Sequence, residues 1–199
     1  MTLLPKMAAA LLLTTAFSAL AQSHKEPQEG SLSAGRVELR AFGGTNYSPS
    51  RNPYLSPRTP PTYGGELAVA ITDALAGIGT FAYNRGGGDP TLPGTGSSIK
   101  EWMGGARLSL PIRDTPVTLY GSLSLGKVSF KEYIEGPKNA LGVSSPTAVS
   151  AAHAGLAPAI GADIHLSRSV GIGVEFRAVK ATDAGLYYRL CGSAYFRFP

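Results

Sequence analysis

Cysteine is nearly missing from this chain: Cys191 is the only one in 199 residues. A disulfide framework and a Cys-x-x-Cys metal site within the chain are therefore excluded. Cys191 reads as a small strand residue, since no base and orienting acid accompany it as a nucleophile triad would require. Charge is also sparse, at 16% of residues, and the formal net charge is +5. No Lys/Arg run and no basic helix concentrates that charge, so nucleic acid is not expected as a partner. Helical spacing is almost absent after Arg36. Beyond the N-terminal segment, no apolar run is long enough to cross a bilayer as a helix. A mature chain that enters a membrane must then do so as a closed barrel, because every backbone polar group needs a partner there. The stretch "NRGGGDPTLPG" has glycines but no strand-to-helix context and no Lys-Ser/Thr, which excludes a phosphate loop.

Abundance lies in 25 glycines, 15 prolines and 43% hydrophobic residues. Low charge with many turn residues and aromatics fits an all-β chain. At the N-terminus, "MTLLPK" supplies a basic start, "MAAALLLTTAFSAL" an apolar core and Ala19–Ala21 a small-x-small cleavage site. Residues 1–21 read as a secretory signal peptide. Residues 22–35 are polar and aperiodic, a flexible periplasmic lead-in, and 36–199 form one β domain.

Eight alternating segments follow. "RVELRAFGGTNYS" sets Val37, Leu39 and Ala41 against Glu38 and Arg40. A Pro-rich stretch separates it from "YGGELAVAIT", and then "AGIGTFAYNR", "EWMGGARLSLPI" and "PVTLYGSLSLGKVSF" alternate in the same way. Around Gly126 the apolar parity slips to Val128 and Phe130, which predicts a β-bulge there. A long loop is expected over 131–150. The sixth segment, "AGLAPAIGADIHL", is weakened by Pro158, which cannot donate to a ladder. "VGIGVEFRAVK" and the terminal "AGLYYRLCGSAYFRFP" complete the set. Connections after segments two, four and six are short; those after one, three and five are long.

The polar parity collects Glu38, Arg40, Glu66, Arg107, Asp163, His165, Glu175, Arg177, Arg189 and Arg197. The opposite parity is Leu, Val, Ile, Ala, Gly and Phe almost throughout. Alternation alone is symmetric: a soluble lipocalin-like barrel would turn the apolar parity to a ligand cavity, and a membrane barrel would turn it to lipid. The charged parity carries both signs among Gly, Ala and Ser, with few lysines, which suits a narrow lumen where opposite charges pair. Aromatics stand near segment ends, at Tyr63, Tyr83, Trp102, Phe130, Tyr188, Phe196 and Phe198, as girdles at two membrane interfaces would. Even strand number with alternating short and long connections also fits a membrane barrel, short turns facing the periplasm.

On the signal segment, the "ELRAFGGTNYS" strand, the "YGGELAVAITDALAGIGTFAYN" hairpin and the terminal "GSAYFRF", the chain resembles the bacterial outer-membrane β-barrel domain family, the small OmpA/OmpX-like eight-stranded barrels. The resemblance covers about 35–199. It implies an eight-stranded antiparallel up-and-down transmembrane barrel in the outer membrane of a Gram-negative cell, in contact with outer-membrane lipid. It also implies that the last strand, with Phe196 and Phe198, is the signal read by the barrel-assembly machinery; Pro199 departs from the usual terminal Phe. A structural or surface role follows, in envelope integrity or adhesion, with a possible surface ligand held through the long loops, the Pro-rich stretch Asn46–Thr62 foremost. No catalysis, cofactor or metal is expected. His153, Asp163 and His165 share the polar parity, and a lipid-modifying enzyme would need one of these histidines paired with a serine at the outer rim. The charged parity itself is expected to pack and hold register.

Overall fold

The computed structural model describes residues 34–47, 61–85, 97–138, 144–183 and 185–198, without the side chains of 132–138, 144–146 and 148. The signal segment, most of the lead-in, most of the Pro-rich stretch and Pro199 lie outside the described residues. Eight strands close a barrel in sequence order: β1 (Val37–Tyr47), β2 (Pro61–Ala70), β3 (Leu75–Arg85), β4 (Ser97–Pro111), β5 (Val117–Lys138), β6 (Ser144–His165), β7 (Val170–Ala181) and β8 (Gly185–Phe198). Every neighbouring pair is antiparallel, and β8 returns to β1 with Leu39 opposite Phe196 and Glu38 opposite Arg197.

The direction of the alternation is now fixed. Val174 is 58% exposed, and Leu67, Val69, Phe176 and Phe196 also stand on the outer wall. Glu38, Arg107, Arg177 and Arg189 are almost wholly buried inside. A soluble barrel with an apolar cavity is thereby excluded: it would place these two sets the other way round.

Short turns at 71–74, 112–116 and 166–169 join strands at one end. Thr72, Thr115 and Ser167 close them by accepting backbone N–H bonds through their hydroxyls. At the other end the β1–β2 and β3–β4 connections are long. The expected loop over 131–150 is mostly strand instead, since β5 and β6 run on as a paired hairpin to Lys138 and from Ser144.

No bulge interrupts β5 at Gly126. Its register with β4 is continuous throughout, and its register with β6 is continuous from Val117 to Glu135. Parity is kept through Gly126, and what changes is the interior itself. Ile99, Met103, Val128, Phe130, Ala157, Val179, Ala181 and Tyr187 form a buried cluster toward the long-connection end. Phe130 therefore belongs to the inside and not to an aromatic girdle. Gly126 faces this cluster where two strands press together: a Cβ there would meet the Trp102 carbonyl oxygen and stand 2.8 Å from the Met103 Cα. Such a position admits only glycine without backbone movement.

Pro158 is accommodated at a gap. The β6–β7 register pairs Leu156 with Lys180 and Ala159 with Arg177, but not the residues between. Thr182 N–H donates to the Ala154 carbonyl on this seam, so residues of even parity on β6 aim their backbone groups at β7. Pro158 shares that parity and has no N–H to give.

Candidate functional site

Among the described side chains, alternation places one or two charged residues from each of six strands on the inner face, β3 and β5 supplying none, and the barrel is narrow enough for them to meet. Glu38 is the hub. Its Oε1 accepts from Arg40 Nη2 at 3.0 Å and Arg107 Nη2 at 2.8 Å, and its Oε2 accepts from Arg197 Nε at 2.9 Å. Arg40 crosses the lumen to grip Asp163 with both terminal nitrogens, at 2.8 and 2.6 Å. It also donates to the Tyr120 hydroxyl and Ser193 Oγ. Glu66 accepts from Arg107, Arg177 and Thr80. Arg177 forks onto Glu175, its β7 neighbour two residues earlier, at 2.8 and 3.1 Å.

A second group stands nearer the long connections. Glu101 accepts from Arg189 Nη1 on both oxygens, at 3.0 and 2.9 Å, and from the Tyr187 hydroxyl and Asn84 Nδ2. Asn46 donates to Asn84 at 2.6 Å. Aromatic faces complete the packing: guanidinium groups of Arg40 and Arg107 lie over Tyr120, Arg40 and Arg197 over Tyr195, and Arg189 over Phe42. Such contacts suit arginine, whose planar, weakly hydrated cation stacks where lysine does not.

All ten residues of the polar parity named from the sequence stand inside; eight of them join one another through ion pairs, and Arg189 pairs with Glu101 in the second group. His165 sits apart near the short-turn end, bonded through Nε2 to the Thr118 hydroxyl at 2.7 Å and through Nδ1 to the Tyr195 hydroxyl. It therefore does not form a unit with Asp163, whose oxygens are taken by Arg40. His153 lies inside, edge-on to Phe130, and its Nε2 has no hydrogen-bond partner among the described residues. No three His, Cys, Asp or Glu side chains gather into a metal site among the described residues.

Glu101 was the residue missed. It shares its inner parity with Ile99 and Met103, so its neighbours read as an apolar face, and it stands at the first residue of the alternating segment "EWMGGARLSLPI". A count would have found it: the described lumen holds five arginines, and Glu38, Glu66, Asp163 and Glu175 leave one without an acid.

The outer wall carries rings near both ends. Phe81 packs on Trp102 with centroids 4.4 Å apart, Tyr63 on Tyr83 at 5.3 Å and Phe176 on Tyr188 at 5.6 Å. Phe196 meets Phe198 edge-on at the short-turn end.

No curated protein sequence matches the chain. Solved structures do, at low identity and therefore as likenesses of fold. Ail, the attachment invasion locus protein of Yersinia pestis, solved in complex with the heparin analogue sucrose octasulfate, is 18% identical with a TM-score of 0.56, over 83% of this chain and 99% of that one. The N-terminal β-barrel domain of Pseudomonas aeruginosa OprF is 12% identical with a TM-score of 0.54, over 84% and 100%. Neisserial surface protein A is 14% identical with a TM-score of 0.54, over 82% and 96%. The family model described as outer membrane protein beta-barrel domain matches residues 8–190. That match, with the apolar wall, charged lumen and sequence-order closure in agreement, makes this chain a member of the outer membrane protein β-barrel domain family, an eight-stranded barrel of the bacterial outer membrane.

Proposed function

We propose that the protein is a non-conducting, non-catalytic surface protein whose barrel anchors and presents its long-connection end, for adhesion or envelope integrity. One observation carries this reading: the lumen is filled by a charge-balanced network. Arg40, Arg107, Arg177, Arg189 and Arg197 face Glu38, Glu66, Glu101, Asp163 and Glu175, and the apolar cluster packs around the Glu101–Arg189 pair toward the long connections. The ten charges serve as packing and register, since each is paired and an unpaired one would be costly. With the interior occupied and neutral, the work falls to the ends.

The long-connection end has the chemistry for it. Among the described side chains on that side of the strands, Arg85, Lys100, Lys127, Lys131 and Lys180 outnumber Asp183, and the sequence of the connecting segments 48–60 and 86–96 holds Arg51 and Arg58 against Asp89. A polyanionic surface, such as a sulfated glycan, is the contact this excess favours. The similar Ail chain was solved with a sulfated heparin analogue. Residues 1–21 act as the secretory signal, and Phe196 and Phe198 offer the last strand to the assembly machinery.

The test is twofold. In planar bilayers the folded protein is expected to give no steady conductance, and cells displaying it are expected to adhere to immobilised heparin in a salt-sensitive way. A stable open channel would overturn the sealed lumen. Adhesion equal to that of cells lacking the protein would leave the envelope role and remove the adhesive one.

A further inference from the structure

The strand registers place an unusual set of side chains on the outer wall of β3, β4 and β5. Nearest the long connections, one row reads Arg85–Ser98–Lys131. The next reads Tyr83–Lys100–Ser129, and the one below it Phe81–Trp102–Lys127. Lys100 is thus the diagonal neighbour of Arg85 on one side and of Lys127 on the other, about 7–8 Å from each at the backbone, and the other two flank it from adjacent strands. All three are exposed. No carboxylate stands among the described side chains of these rows; Glu101 points inward. Like charges gathered on one sheet face repel and are unfavourable without a counter-charge.

Their depth is informative. Lys100 and Lys127 lie about ten residues from the short-turn ends of β4 and β5, the length of strand that crosses a bilayer. The rings stand level with them, Tyr83 beside Lys100 and Phe81 and Trp102 in the row of Lys127, and mark the interface itself, where Trp and Tyr concentrate. Trp102 is 60% exposed there. Below the rings the wall loses its side chains: Gly79 pairs with Gly104, and Gly77 with Ala106. Leu67 and Val69 bound this trough on one side, Leu125 and Leu123 on the other. A Cβ built on Gly79 would touch nothing within 4 Å.

We propose that this wall is a docking site for one phosphorylated lipid of the outer leaflet. Arg85, Lys100 and Lys127 hold its phosphate, Trp102 and Tyr83 lie at its glycerol or sugar level, and an acyl chain occupies the glycine trough. The proposal rests on the reading that the long connections face outward, but its test is independent of adhesion and conductance.

Trp102 is the only tryptophan in the chain and stands inside the site, so its fluorescence reports which lipid touches it. Folded protein, checked by heat-modifiability on gels, is placed in phosphatidylcholine vesicles containing either brominated-chain phosphatidic acid or brominated-chain phosphatidylcholine as quencher. The expected result is a preference of about tenfold for the phosphatidic acid, as three cations at an anionic headgroup imply. An R85Q/K100Q/K127Q variant is expected to lose it, while K180Q, on β7 and outside the rows, retains it. Equal quenching by the two lipids in the parent protein would overturn the proposal, as would an undiminished preference in the triple variant. Abolition of the preference by millimolar inorganic phosphate would mean a free-phosphate site and would also overturn it.

Discussion

Toward the short turns, the lumen is a lattice of arginines and carboxylates; toward the long connections, it is an apolar cluster of Ile99, Met103, Val128 and Phe130 around a single ion pair, Glu101–Arg189. The outer wall changes in the opposite sense. Beside the lattice it is Leu, Val, Ile and Phe, and beside the apolar core it includes Lys127 and Lys131. Each half is built for the medium outside it. Within lipid there is no hydrophobic force to collapse an apolar interior, so specific polar contacts and packing hold the strands. Above the lipid, water returns, and an apolar interior with a polar exterior is the ordinary solution. One strand pair, β5–β6, passes through both regimes with its register unchanged from Val117 to Glu135.

The comparison breaks most sharply at Glu38. It balances Arg40, Arg107 and Arg197 and is wholly buried. Glu38→Ala leaves a buried positive charge uncompensated, a loss of about 3–5 kcal/mol. Urea unfolding in lipid vesicles, read by Trp102 fluorescence, is expected to show it as a lower midpoint throughout the barrel. A loss under about 1 kcal/mol would mean that the lattice contributes little beyond filling space.

Phe130→Ala probes the other half. Its removal opens a cavity worth about 3 kcal/mol, but in the part of the hairpin beyond the bilayer. Hydrogen exchange is expected to rise in β5 and β6 past Gly126 and Gly155, while the wall around Glu38 stays protected. Equal loosening of both halves would show them to be one cooperative unit.

A smaller effect separates charge from packing within the network. Arg189 and Glu101 meet only each other among charged residues. Arg189→Met and Glu101→Gln singly are each expected to destabilise, and together to cost less than their sum, with a coupling of about 1–3 kcal/mol in a double-mutant cycle. Additive effects would assign the stabilisation to the surrounding Tyr187 and Asn84 instead.

Much of the barrel was legible because period-two alternation survives whichever way the wall faces. Strand order, the short turns and the ten inner charges all follow from that period and from the turn residues. The sequence lost track where the interior changed material. Val128 and Phe130 keep the inner parity but carry the residues expected outside, so an unbroken strand read as a slipped one, and Phe130 as a girdle ring. Glu101 was obscured for the same reason, flanked on its own face by Ile99 and Met103. Partner identity inside the lumen was not legible either. Arg40 reaches Asp163 across 123 positions in sequence, a pairing set by closure and strand stagger and not by any local pattern.

The least effect is expected at the boundary of the two halves. Pro158 faces lipid on β6, opposite Leu123, and lies between Ala157, which joins the apolar core, and Ala159, which pairs with Arg177. Its parity aims the missing N–H at Ala178 on β7, whose carbonyl loses a ladder partner inside the bilayer. Pro158→Ala restores the donor where the backbone is already extended, and one added ladder bond is worth about 1 kcal/mol. A raised urea midpoint, together with slower exchange of the Ala178 and Lys180 amides, is the expected outcome. An unchanged midpoint with unchanged exchange would show the β6–β7 seam to be held by side chains alone, the Arg177 fork on Glu175 below and Val179 in the core above. The gap would then be neutral to the fold, and the two halves would meet at a joint that tolerates a missing bond.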